Sequence, residues 1–234
     1  RNLDTRFQTQ AGEIIAVDDV SFDLKKGEIL GLVGESGSGK SVTGFSIMGL
    51  IDEPGKIHGG QIRFKGEDLI NAGDKRYDRL RGREIAMIFQ DPMMTLNPLL
   101  RIDTQMIEAI LAHDAVSRES ARQRAREALV MVGISSPDER LHAYPHQFSG
   151  GMRQRVVIAI SMLHAPDIII ADEPTTALDV TIQAQILYEM QKLRQNHSVS
   201  IIWITHDLSV ISALADRVCV MYAGTLVEQG PIDD

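Results

Sequence analysis

Eight residues, Gly34-Glu35-Ser36-Gly37-Ser38-Gly39-Lys40-Ser41, constrain this 234-residue chain more than any other stretch. They fit G-x-x-x-x-G-K-[ST], follow the apolar run Glu28–Val33, and open a helical pattern over Lys40–Leu50 that stops near Pro54-Gly55. Glycines let backbone N–H groups turn inward around phosphate oxygens, and a helix N-terminus adds partial positive charge. In that setting Lys40 supplies a point charge to β- and γ-phosphates, and the Ser41 hydroxyl is a ligand for Mg²⁺. The pattern therefore predicts a nucleotide site at a strand-to-helix junction.

The rest of the chain is organised to suit such a site. Ile14, Ile15 and Val17, then Val20, Phe22 and Leu24, alternate as strands do, with Lys25-Lys26-Gly27 as a turn; Gln61–Lys65 and Glu84–Phe89 are further strand candidates. Helical periodicity covers Asp103–His113 and Ser117–Val132, where Ala121, Ala125, Leu129 and Val132 share a face. Arg118, Arg122, Arg124 and Arg126 are interleaved with Glu119 and Glu127, which reads as a solvated helix face, not a basic patch. After Pro145 a helix over Gly151–Leu163 is apolar almost all round and is expected to be buried. The last third alternates: strand Asp167–Asp172, a helix through Ile182, Ile186, Met190 and Leu193, strand Val199–Thr205, a helix from Leu208, strand Arg217–Tyr222. Such alternation predicts a largely parallel sheet covered on both faces, interrupted near residues 91–165 by a helical lobe.

Composition removes several function classes. Asp and Glu number 32 against 24 Lys and Arg, a net charge of −8, which argues against nucleic acid as the main partner. The one cysteine, Cys219, excludes a disulfide framework or a multi-thiolate cluster within the chain, so the redox context reads as cytosolic. No run approaches the roughly 18 apolar residues needed to span a bilayer. A chain that starts at Arg1 and stops at Asp233-Asp234 is expected to be a trimmed piece of something longer.

Further motifs carry chemistry. Ile168-Ile169-Ile170-Ala171 runs into Asp172-Glu173, which places Asp172 to hold Mg²⁺ through its water shell and Glu173 to take a proton from water. Alone this is also how an acidic loop opens; beside the phosphate loop it completes a Mg-nucleotide site. Phe148-Ser149-Gly150-Gly151-Met152 offers a second backbone anion site before the buried helix, and equally an ordinary N-cap. Met87, Met93, Met94 and Met106 read as core gap-fillers, with Met93 and Met94 also suited to line a groove for a partner helix.

Taken together these residues resemble the nucleotide-binding subunit of ABC transporters over nearly the whole chain. The matching residues are Gly34–Ser41, Gln90 after Ile85–Phe89, Phe148–Met152, Asp172-Glu173, Ala177-Leu178-Asp179 and His206. Gln90–Pro98 and Asp172–Val180 are most similar to the peptide/nickel importer branch. The signature departs from the commonest Leu-Ser-Gly-Gly-Gln in having Phe148 first and Met152 last. The resemblance implies an α/β P-loop NTPase core (residues 1–90 and 166–234) with a mostly parallel sheet, an N-terminal antiparallel β portion and an inserted α-helical subdomain (91–165), with a further C-terminal extension expected. It implies an ATPase that powers import of peptides, nickel or related solutes from the cytoplasmic face of the inner membrane. Two such subunits, alike or different, would sandwich two ATP molecules. Each nucleotide would touch Lys40, Ser41 and Gln90 of one subunit and Ser149, Gly150 and Gly151 of the other. Glu173 would be the general base, His206 would contact the γ-phosphate, Asp179 would link the two sites, Gln90 would sense Mg²⁺, and Phe7 would stack on adenine. Implied partners are two transmembrane permease subunits and, indirectly, a solute-binding protein. A soluble ABC ATPase of DNA repair or translation is the first rival. The 59-residue spacing from Gln90 to Ser149, free of heptads, favours transport over it. A P-loop small-molecule kinase would explain Gly34–Ser41 but neither Phe148–Met152 nor His206.

Overall fold

The structure, a computed structural model, describes residues 1–176 and 178–232. The chain falls into two compact units, Arg1–Leu80 with Ser200–Asp234, and Arg81–Val199. The first unit opens with β1 (Leu3–Thr9), β2 (Gly12–Val20), β3 (Ile29–Gly34), α1 (Lys40–Met48), β4 (Gly55–Gly59), β5 (Arg63–Phe64), β6 (Glu67–Asp68) and α2 (Asp74–Leu80). The second holds β7 (Ile85–Ile88), α3 (Pro92–Thr95), α4 (Ile102–Leu111), α5 (Arg118–Met131), α6 (Pro137–Leu141), α7 (Gly150–Ser161), β8 (Ile168–Asp172) and α8 (Val180–His197). The chain then returns to the first unit with β9 (Ser200–Thr205), α9 (Leu208–Leu214), β10 (Arg217–Tyr222) and β11 (Thr225–Pro231).

In the first unit β10, β3 and β9 run parallel, and β11 pairs antiparallel on β10. Ile29, Leu30, Leu32 and Trp203 are fully buried, as a parallel strand covered on both faces requires. Gly31 is a packing necessity: a Cβ there would sit 2.8 Å from the Ile211 side chain of α9. A separate antiparallel sheet, β2-β1-β4, forms the N-terminal β portion. It is keyed to α1 by a buried 2.9 Å hydrogen bond between the Thr5 and Ser46 hydroxyls. The alternation through Val20, Phe22 and Leu24 does not continue as strand; β2 ends at Val20.

In the second unit β7 and β8 pair in parallel, Ile85 beside Ile168 through Ile88 beside Ala171. The expected shared face of α5 exists: Ala121, Ala125, Leu129 and Val132 are buried, and α4 meets it through Ile102, Met106 and Ile110. Helix α7 is buried along most of its length, as its apolar circumference predicts. The arginines of α5 do more than face solvent. Arg122, Arg124 and Arg126 donate to Asp103, Asp114 and Asp138, at 3.2, 2.7 and 3.1 Å, so they tie α5 to its neighbours.

The buried ring of His164 lies in this knot. Its Nε2–H donates to the Ala109 carbonyl at 3.2 Å, Nδ1 lies 3.4 Å from Asp114, and the ring meets His113 edge-on. Burial pushes the imidazole below its ordinary range, with His113 and Arg124 adding to that and the Ala109 carbonyl and Asp114 opposing it. The unfolded chain therefore binds this proton at a higher pH than the folded one does. Stability contributed by neutral His164 is complete above about pH 6.5 and declines as pH falls below it. Urea midpoints across that window should fall less steeply for His164→Gln than for the wild type.

Candidate nucleotide site

The phosphate loop bridges β3 and α1 within the first unit, and its glycines are there for different reasons. Met221 pairs with Gly34 across β10 and β3, and a Cβ on Gly34 would lie 2.2 Å from the Met221 carbonyl oxygen. Gly39 sits at φ +99°, and a Cβ there would lie 2.3 Å from the carbonyl oxygen of Ala16 in β2. Gly37, at φ +79°, has open space around it. The Gly224 N–H donates to the Ser38 carbonyl at 3.1 Å, bracing the loop from the β10–β11 turn.

What the loop presents is a cradle for an anion. Helix α1 starts at Gly39, which has no side chain to cap it, and its first turn holds no acidic residue. The Ser38 hydroxyl is buried with no hydrogen-bond partner. Lys40 is 5% exposed and lays its ammonium across the loop, donating to the Gly34 and Glu35 carbonyls at 2.9 and 2.8 Å. An orphaned hydroxyl, an uncapped helix start and a nearly buried cation suit a phosphate chain well. The next strand carries His206: Val33 pairs with Thr205, so Gly34 and His206 stand at adjacent strand ends. His206 is exposed, and Asp207 after it caps α9 through Ser209 N–H.

Phe7, the residue expected to stack on adenine, lies within β1. It is half-buried and pairs with Gly55 across β1 and β4, and a Cβ on Gly55 would sit 2.5 Å from its ring.

In the second unit β8 ends at Asp172, which is buried, and the next residue, Glu173, sits at φ +45°. That left-handed conformation costs a non-glycine residue about 1–3 kcal/mol, and such strain clusters at functional sites. Gln90 Nε2 donates to Glu173 Oε2 at 3.2 Å, and Thr176 Oγ1 donates to the same oxygen at 2.9 Å. Among the described residues no cluster of three or more His, Cys, Asp or Glu could hold a metal ion by itself. A buried carboxylate such as Asp172 suits Mg²⁺, which keeps several waters and shares its shell with phosphates.

The signature turn occupies the start of α7. Ser149 caps that helix, accepting from Met152 N–H at 3.3 Å, while Phe148 is buried 5.7 Å from the Arg140 guanidinium. Gly150 and Gly151 face the start of α8: added Cβ atoms would lie 3.6 Å from Leu178 Cδ2 and 2.5 Å from Ile182 Cγ2. Asp179 caps α8 by accepting from Ile182 N–H at 3.0 Å, and both Ser149 and Asp179 are exposed. Ala177 lies outside the described residues. The structure thus places the signature and the Leu178-Asp179 corner side by side. Gly151→Ala should cost about 1–3 kcal/mol by overpacking against Ile182. Ile182→Ala, which removes the clashing Cγ2, should cost less in the Gly151→Ala background than alone, as read by denaturant unfolding of the single and double variants.

The description "ABC transporter" belongs to a family model that matches residues 17–176. The chain belongs to that family. It is 52% identical over its whole length to the oligopeptide transport ATP-binding protein OppD of Bacillus subtilis (strain 168). It is 54% identical, again over its whole length, to the dipeptide transport ATP-binding protein DppD of the same organism. The chain spans 66% and 70% of the length of those two relatives. Among solved structures it is similar to a dimeric bacterial ABC transporter cassette, MJ0796. The TM-score is 0.86 at 29% identity, over 99% of this chain and 97% of that one. A second structure of the same cassette, bound to ADP and Pi after hydrolysis, matches equally well.

The family motifs pass over two features of this ABC cassette. One is Thr176, whose hydroxyl meets the Glu173 carboxylate; a Thr three residues after an acidic residue gives no signal until the turn is folded. The other is the packing duty of Gly151, which only the approach of α8 reveals.

Proposed function

We propose that this chain is the ATP-binding and ATP-hydrolysing part of an ABC importer of peptides or related small solutes. The observation that carries the reading is identity above 50%, over the whole chain, to ATP-binding proteins of oligopeptide and dipeptide transport. The geometry supports it. The backbone of Gly34–Gly39, with Glu35, Ser36 and Ser38 between the glycines, surrounds the phosphates. Lys40 exchanges its contacts to the loop carbonyls for phosphate oxygens. Ser41, Gln90 and Asp172 are the residues that would hold Mg²⁺, which when bound offsets triphosphate charge. Glu173 takes the proton of the attacking water, and His206 contacts the γ-phosphate. Phe7 carries the adenine.

The cassette works as a dimer, alike or mixed, in which Ser149, Gly150 and Gly151 of one subunit face the nucleotide of the other and Asp179 links the sites. Two facing helix N-termini neutralise a triphosphate better than one, so ATP favours the closed pair and hydrolysis releases it. Among the described residues no helix is long and apolar enough to cross a membrane. The subunit reaches the cytoplasmic face of the inner membrane by docking on two permease subunits, which a solute-binding protein loads from the other side.

The test is ATP turnover by the full-length subunit reconstituted with its permease in lipid vesicles. Turnover should rise when peptide-loaded binding protein is added, with ADP and phosphate as products. Turnover indifferent to permease and peptide, or a phosphorylated organic product, would remove the importer reading.

A further inference from the structure

The turn after β8 is closed twice by one residue. Thr176 N–H donates to the Glu173 carbonyl at 3.3 Å, and Thr176 Oγ1 donates to Glu173 Oε2 at 2.9 Å. Gln90 Nε2 reaches that same oxygen at 3.2 Å. The two donors differ in kind. Gln90 is a long, exposed side chain with several free rotations, whereas Thr176 is β-branched and stiff at χ1. Glu173, held at φ +45°, projects its carboxylate from an unusual backbone and needs external donors to keep one orientation.

We infer that Thr176 is a positioning residue for the hydrolytic base: its hydroxyl keeps the Glu173 carboxylate aimed when Gln90 turns from Oε2 to Mg-nucleotide. This rests on the proposed readings of Glu173 as the base and of Gln90 as a residue that would hold Mg²⁺. Gln90 then links nucleotide arrival to the base by leaving it, and Thr176 supplies a contact that persists. A carboxylate that must accept a proton in a narrow geometry loses rate when its orientation spreads, without any change in nucleotide affinity.

The experiment uses the full-length subunit assembled with its permease. Thr176→Val keeps the shape and removes the hydroxyl, and Thr176→Ala repeats the deletion without the β-branch. Both should lower kcat by about tenfold with KM for ATP within about twofold, while Thr176→Ser stays within about twofold of wild type in both. A second readout needs no nucleotide: crystal structures of the variants with Gln90→Ala added to remove the other donor to Oε2. In these the Glu173 carboxylate should lose its single orientation in Thr176→Val and Thr176→Ala and keep it in Thr176→Ser. Unchanged kcat, a loss carried by KM, or a Glu173 carboxylate that keeps its orientation in Thr176→Val and Thr176→Ala would overturn the assignment. Wild-type protein that turns over no ATP would overturn the base reading, and the variant structures would still decide whether Thr176 holds the carboxylate.

Discussion

Glu173→Gln should slow ATP hydrolysis by about 10²–10⁴-fold, the range a positioned general base contributes, and leave ATP binding within about threefold of wild type. Glutamine has the shape of glutamate, and its amide oxygen can accept from both Gln90 Nε2 and Thr176 Oγ1, the two donors now on Oε2. The left-handed backbone at this position is no harder for glutamine than for glutamate. What disappears is the carboxylate basicity that the proposed role needs to take a proton from water. A trapped, nucleotide-loaded dimer should accumulate, visible by size-exclusion chromatography with ATP and Mg²⁺. Turnover near the wild-type rate would remove Glu173 from the base role.

Lys40→Met should act on the other half of the problem, weakening ATP binding by about 100-fold. That is the effect expected when charge-assisted hydrogen bonds worth about 3 kcal/mol are lost. Methionine retains most of the stem that fills the nearly buried position but removes the ammonium that bridges the Gly34 and Glu35 carbonyls. Those carbonyls then face the incoming phosphates with no cation between, so binding falls for two reasons with one physical origin. Calorimetric titration with ATP separates this variant from Glu173→Gln: one loses affinity, the other only turnover. Affinity within threefold of wild type would mean that the helix N-terminus holds the triphosphate without Lys40.

How much of this was legible beforehand varies along the chain for physical reasons. Strand β3, helix α5 and strand β10 could be read because burial on one or both faces forces apolar residues into a period. Strand β1 was harder, because one of its buried positions is Thr5, paired with Ser46, and the buried face does not read as apolar. Strand β11 is held by ladder bonds to β10 with most of its side chains exposed, so burial imposed no alternation on it. Helix α2 buries only Tyr77 and Leu80, too few for a helical period to stand out.

The chain's order of residues, by itself, determined that a glycine-rich turn joins an apolar strand to a helix, that an acidic pair ends another strand, and that both serve a parallel sheet. These are consequences of local chemistry: which residues tolerate φ > 0, and which must leave water. Only tertiary structure decided that Gly34 and Gly39 make room for the Met221 and Ala16 carbonyls and Gly151 for Ile182. It alone decided that the arginines of α5 are staples and that Thr176 shares Oε2 of Glu173 with a residue more than eighty positions earlier. Such pairings depend on which surfaces meet after folding, and close approach between segments distant in sequence leaves no periodic trace in either one.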